Sequence, residues 1–542
     1  MVRRNNAYQG DVLIIGAGIA GLVTALELLD HNKKVIILER DNQHRIGGLA
    51  REAFGGMMIV DSPQQRKMGI KDSPELAFSD WLRVAVFGPE DQWPVKWAET
   101  YVSRSVDVIY EWLAKHSIKF LPIVAWAERG LHCPANTVPR WLITWGTGRA
   151  LVTSILKHIN QHPQRGNLEI FFNHRVSHLN HTNGVVNGCS GVEEENGHDF
   201  TAEAECVIAA AGGVSGGRLE KVYEHWPAKR GKPPDTLLNG SHRYADGLLH
   251  DLIATLGGKV TYLDRHWHYA SGIRHPHPDR YQHGLSIVPP RSALWVNAVG
   301  KRIGPVPLVG NTDTAYLVDA VCHQPGQYTW QIMNWKIAIK ELAVSGSEYM
   351  TAYREKRKKD LLSSVLFGNK KLVQQLISES QDFVTAENIP ALICAMNAMD
   401  NAYQVDADLL TSEIKAYDDQ ISRGISYFND DQLRRIANMR KYRGDRLRTC
   451  KFQRINDEKA KPLIAIREFI LSRKSLGGVQ TDLQCRVLDQ VGAPIPGLYA
   501  VGECAGFGGG GIHGERSLEG TFLSSCILTG RMAAGAISGK SL

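Results

Sequence analysis

Proton-handling side chains gather in two stretches of this 542-residue chain. Near the C-terminus, four consecutive glycines (Gly508 to Gly511) run into Ile512-His513-Gly514-Glu515-Arg516-Ser517-Leu518. An imidazole titrates near neutral pH and a guanidinium grips anions, so His513 and Arg516 are candidates for acid–base work and ligand binding. Glu515 and Arg516 could equally pair with each other and hold the loop. The second stretch is His266-Trp267-His268-Tyr269, ending at Gly272, with His275, His277 and His283 following. Tyr269 and His283 are its acid–base candidates, with an aromatic lining or core role as the plain alternative for Tyr269. The irregular histidine spacing argues against a metal.

Such groups need elements to place them. Asp11-Val12-Leu13-Ile14-Ile15 reads as a strand, Gly16-Ala17-Gly18-Ile19-Ala20-Gly21 follows at once, and helical spacing runs on to Leu29. In that context the glycines acquire roles: Gly16 for a tight turn, Gly18 for close approach of backbone to a pyrophosphate, Gly21 for helix–strand packing. A second strand, Val35 to Leu38, ends at Glu39, where ribose hydroxyls are bound in such units, with Arg40 beside it. Two glycine doublets, Gly47-Gly48 (followed by Leu49 and Ala50) and Gly55-Gly56, let the backbone pass a flat, bulky group. A nicotinamide domain has no need of them; a flavin dinucleotide does. Far along the chain, a strand runs into Gly502-Glu503, whose carboxylate suits the ribityl chain of FAD. The helical stretch from Glu519 to Ile537 would aim its N-terminus at the ring. Between these halves, Val207 to Gly213 is a strand ending in a small-residue turn that contains Ala211 and Gly212. Val176, Ser517 and Leu518 complete the expected set around FAD.

These segments resemble the fumarate reductase/succinate dehydrogenase flavoprotein superfamily, and within it the FAD-binding dehydrogenases related to 3-ketosteroid dehydrogenases. The resemblance rests on Gly47 to Asp80, Val138 to Gly148, Leu294 to Arg302 and, most specifically, Gly502 to Leu523. It implies an α/β protein: a discontinuous Rossmann-like FAD-binding domain (residues 1–238 and 461–542) with an inserted α+β cap, or substrate, domain (residues 239–460). Long helical patterns are expected from Trp330 to Gln453. The dicarboxylate members carry His-Gly-x-x-Arg beside the flavin; here Arg516 falls one residue early and Ser517 takes its place. The matching cap stretch, Gly310 to Thr314, lacks their proton-donating arginine. No histidine stands at Leu49 or Ala50 for covalent attachment, so non-covalent FAD is expected.

The expected reaction is hydride transfer between flavin N5 and a carbon–carbon bond next to a carbonyl, in a ketosteroid-like or other cyclic ketone. The alternative is a fumarate reductase-type ene reductase of a small unsaturated acid, and a third is a flavin-bearing RNA-associated protein. That third reading would use the nine basic residues between Arg434 and Arg454, but no RNA module accompanies them and a solvated helix face explains them. A small-molecule substrate and an unidentified electron donor or acceptor are implied, with no nucleic acid. Nine scattered cysteines with no CxxC pair fit reduced thiols in the cytoplasm. Arg3-Arg4 raises an export signal, but the apolar run behind it, Val12 to Leu29, is the fingerprint itself. Its glycines and Glu27 also argue against an integral membrane segment.

Overall fold

A computed structural model of the protein describes residues 5–131, 134–399 and 402–540. Cys133 and Arg3-Arg4 lie outside the described residues. Val12–Ile15 is fully buried and pairs in parallel with Val35–Leu38 on one side and Cys206–Ala209 on the other. Leu168–Phe171 extends this sheet beyond Val35–Leu38, and Pro494–Ala500 extends it beyond Cys206–Ala209, both in parallel. Arg486–Leu488 closes it antiparallel. Continuous apolar runs suit strands covered on both faces, which is why these short segments pair in parallel. The helix Ile19–Asp30 leaves the first strand and packs against the last helix, Thr521–Ile537. Thr24 Oγ1 donates to Gly530 O at 3.2 Å across 506 residues of chain. A side chain at Gly530 would place its Cβ 2.8 Å from Ala20 O, so only glycine lets these helices approach.

A second, mixed sheet is built around Leu463–Ser475, thirteen residues and almost wholly buried. It pairs antiparallel with Tyr328–Asn334, His266–Arg274 and Phe383–Ala386, and in parallel with Leu238–Asn239. The expected domain boundary at 460 precedes this strand, yet the strand pairs inside the second sheet and not the first. The helical pattern expected from Trp330 gives way at its start to the strand Tyr328–Asn334, every residue of it buried. Alternating β-branched and aromatic residues (Thr329, Trp330, Ile332) suit a central strand better than a helix. Helices resume at Trp335–Glu341, and later ones, among them Ile389–Asn397 and Ala407–Arg423, pack over the sheet.

The basic stretch is no free stripe. Its one acid, Asp445, is buried and receives Arg129 and Arg291 from outside the stretch. Arg440 donates to the carbonyls of Thr449 and Cys450. The last helix begins at Thr521, two residues later than its pattern predicts, because Gly520 takes φ +100°. Glu519 therefore sits in the loop ahead of the helix, and that changes what it can reach.

Candidate active site

A cleft opens past the C-terminal ends of four parallel strands, against Ile15-Gly16, Leu38-Glu39, Ala210-Ala211 and Val501. Open α/β sheets bind ligands at this edge. Gly16 has φ +112°, and a Cβ there would stand 2.5 Å from Ala210 O. A Cβ on Gly21 would stand 2.2 Å from Gly16 O, so this glycine fixes the helix against the strand and does not itself line the cleft. Gly18 differs: its nearest neighbour would be Ala210 O at 4.0 Å, and it faces the cleft. It also begins the helix with no side-chain cap, which leaves backbone N–H groups for an anion. Gly48 and Gly212, at φ +55° and +81°, line the same space with no neighbour nearer than 3.4 Å and 3.9 Å to an added Cβ. Side chains at these three positions would fill a groove that now fits a dinucleotide.

Ile19, Ala20, Glu39, Arg40, Gly47, Leu49, Ala50, Gly55, Gly56, Val176, Ala211 and Glu503 also line the cleft. Glu39 accepts from Ala17 N at 2.6 Å and Asp41 N at 2.7 Å, tying its loop to the second strand. The Arg40 guanidinium is shared by Glu194 and Asp246 and lies over Tyr244. Burial raises the Glu503 pKa above the ordinary carboxylate value, against the backbone N–H that Ser475 donates to it at 2.9 Å. The segment from Ser241 to His250 lines the cleft too, although it falls beyond the expected boundary at 238. Sequence reading missed it because its only signal is one glycine, Gly247, ahead of a short helix.

A second cavity lies against the other sheet, lined by Trp126, Glu128, Trp145, Val288, Trp295 and Leu317 among others. The two cavities share Phe54, Trp141, Tyr269, Ser345 and Glu519. Tyr269 and Trp267 lie two apart on the strand His266–Arg274 and reach the same carboxylate. Tyr269 donates to Glu519 at 3.1–3.2 Å and Trp267 Nε1 at 2.9 Å. From the neighbouring strand, Lys474 Nζ donates to the Tyr269 oxygen at 3.1 Å and lies 3.8 Å from the centre of the Phe522 ring. Burial, reinforced by Glu519, holds the Tyr269 hydroxyl protonated, its pKa well above the ordinary phenol value. Burial lowers Lys474 to about 8, with Glu519 opposing. Glu128 is buried in the second cavity, where burial lifts its carboxyl to about 8 against hydrogen bonds from Thr314.

Of the four expected catalytic residues, only Tyr269 borders the cavities. His513 is fully buried behind Phe507 and Phe522 and stacked on Trp81 at 5.6 Å. Burial depresses its pKa to about 3, and Lys474 adds to this, so it is neutral in the physiological range. His283 stacks on His275 at 4.0 Å beside Asp279, away from both cavities, with its pKa lowered to about 3 by burial and then Arg280. Arg516 is ion-paired with Asp313, which belongs to the stretch where the dicarboxylate enzymes carry their arginine. Ser517 is buried and bonds to Leu518 O and Thr521 Oγ1, and neither Ser517, Leu518 nor Gly502 lines the cleft. Arg140 is buried on Asp72 and Asp80, while Trp145 borders the second cavity. Glu519 and Lys474 were missed: a glutamate after a leucine and a lysine in a strand carry no motif.

The family model described as an FAD binding domain matches residues 11–523. A KsdD-like steroid dehydrogenase of Mycobacterium tuberculosis is 40% identical over 542 residues, covering 96% of this chain and 94% of its own length. One from Mycolicibacterium smegmatis is 41% identical over 535 residues, covering 95% and 96%. Among solved structures, the 3-ketosteroid delta1-dehydrogenase of Sterolibacterium denitrificans, in complex with 1,4-androstadiene-3,17-dione, has the same fold. Its TM-score is 0.70 at 16% identity, over 98% of this chain and 99% of that one. A cleft built for a dinucleotide, a matching family model over most of the sequence and near full-length relatives agree, and the chain belongs to the FAD binding domain family of flavoproteins, with KsdD-like steroid dehydrogenases among its relatives.

Proposed function

We propose that the protein is an FAD-dependent dehydrogenase that oxidises a carbon–carbon bond next to the carbonyl of a ketosteroid-like substrate. The observation that carries this reading is the meeting of the two cavities at Tyr269 and Glu519. Gly16 to Ala20, Gly47 to Ala50, Ala211-Gly212 and Glu503 would hold FAD non-covalently, and the bound flavin would supply the two-electron acceptance. The parallel sheet then acts as a discontinuous Rossmann-like domain, and the second sheet with its helices as an inserted cap ending near Ser475. The apolar walls of the second cavity (Trp126, Trp145, Val288, Trp295, Leu317) suit a rigid alicyclic skeleton and exclude water.

Acid–base work falls to Tyr269 and Glu519. The Tyr269 oxygen accepts the α-proton of the substrate while its own proton passes along the existing hydrogen bond to Glu519. Trp267 steadies the carboxylate, and Lys474 stabilises the charge that builds on the phenol oxygen. Arg516 is engaged with Asp313 and borders neither cavity, so the carboxylate grip a fumarate reductase needs has no counterpart there. The electron acceptor is an external partner. Among the described residues no helix is long and apolar enough to cross a membrane, and the described cysteines are unpaired, which supports a cytoplasmic placement.

The test is anaerobic. A saturated 3-ketosteroid added to the oxidised yellow protein should bleach its flavin absorbance, and the product should carry a new double bond beside the ketone. Reoxidation of the reduced protein by fumarate, with no response to any ketosteroid, would overturn the reading.

A further inference from the structure

The mouth of the second cavity carries a helix of unusual surface. Lys358–Phe367 has no buried residue along its ten positions. Leu362, Leu366 and Phe367 are 60%, 61% and 70% exposed. Single exposed apolar residues are ordinary, but three within six positions at a cavity rim form a patch. Leu362 and Leu366 also line the cavity, together with Leu361 and Val365. The apolar surface therefore runs from the cavity wall out to solvent. At either end stand exposed cations: Lys358 and Lys359 in the first turn of the helix, Lys370 and Lys371 just past its end. Lys340 Nζ donates to Val365 O at 2.7 Å, which pins the helix to the cap body.

We propose that the helix Lys358–Phe367 docks the mouth of the second cavity onto an anionic lipid surface. Ten residues are too few to span a bilayer but enough to lie in its interface, with leucines and phenylalanine among the acyl chains and lysines at the headgroups. Charge complementarity selects this occupant over an apolar protein partner, because the cations frame the patch on both sides. The benefit rests on the ketosteroid reading: such a substrate concentrates in lipid, and a mouth seated on the bilayer admits it without a passage through water. The docking itself does not depend on that reading.

The experiment uses the flavin-loaded protein and sedimented vesicles, with no substrate present. Vesicles of phosphatidylcholine with phosphatidylserine should carry the protein down, and vesicles of phosphatidylcholine alone far less. High salt should release it. A triple variant, Lys359→Glu with Phe367→Ser and Lys371→Glu, changes exposed residues outside both cavities; it should bind anionic vesicles about tenfold more weakly or worse. Its turnover of a ketosteroid supplied from cyclodextrin should match that of the parent, while turnover of vesicle-loaded steroid should fall. Equal vesicle binding by parent and variant, or no binding by the parent, would overturn the proposal. So would a parent dimer that the triple variant converts to monomer, since a second copy would then cover the patch. Vesicle binding without steroid turnover would sink the substrate reading and leave the docking standing.

Discussion

Tyr269, Glu519 and Lys474 form a chain in which each residue has a separable effect. Removing the Tyr269 hydroxyl by Tyr269→Phe keeps the ring that lines both cavities and deletes the proposed proton path. The expected result is a fall in the rate of flavin reduction by about 100-fold or more, with the flavin spectrum retained. Stopped-flow reduction by a ketosteroid reads this directly. Lys474 titrates at about 8 because burial disfavours its charge. Below that pH its ammonium supports the developing charge on Tyr269; as pH rises through about 8 that support is lost. The kcat/KM profile should fall on its alkaline side, and Lys474→Met should lower activity and erase that limb. The stability effect has the opposite sense. The folded pKa lies below the unfolded one, so the charged lysine destabilises the fold at neutral pH, and this cost fades between about 8 and about 10.4. Lys474→Met should therefore raise the melting temperature at pH 7 more than at pH 10.

At the scale of elements, the two glycines at either end of the first turn carry different loads. Gly21 does not line the cleft, yet a side chain there collides with Gly16 O and levers the helix Ile19–Asp30 off its strand. Gly21→Val should cost about 2 kcal/mol or more and release FAD, read by loss of yellow colour and a lower midpoint in urea. Gly18→Ala should spare the apo-protein and weaken only FAD, because its Cβ meets empty groove. Thermal melts with and without added FAD separate the two outcomes. The strand Leu463–Ser475 acts at this scale too. It anchors the second sheet through most of its length and delivers Arg473 and Lys474 to the cleft at its end.

The whole molecule is closed by its two ends. The first and last helices pack together, and the FAD groove takes walls from residues as far apart as Ile15 and Cys526. Ligand and fold are therefore linked, and FAD at 100 times its dissociation constant should stabilise the protein by about 2.7 kcal/mol. Calorimetry of protein stripped of flavin and then reloaded should show that gain as an upward shift of the transition.

The sequence by itself pointed to FAD, and most of the positions it assigned to that cofactor line the cleft. Gly16, Gly18, Gly48 and Glu39 announce themselves because backbone conformation and close approach restrict those positions to particular residue types, a constraint written locally. Tyr269 was legible as an aromatic beside glycine in a His-rich stretch. The neighbourhood of Tyr269 was not. His513 stands in the most telling motif of the chain, yet the loop turns it behind Phe507 and Phe522, and His283 and Arg516 are held by partners remote in sequence. Glu519 reads as the first residue of a helix until Gly520, with its positive φ, stops the helix short and leaves the carboxylate against Tyr269. Which side chain faces a cavity is decided by the packing of strands hundreds of residues apart, and only the tertiary structure contains that packing.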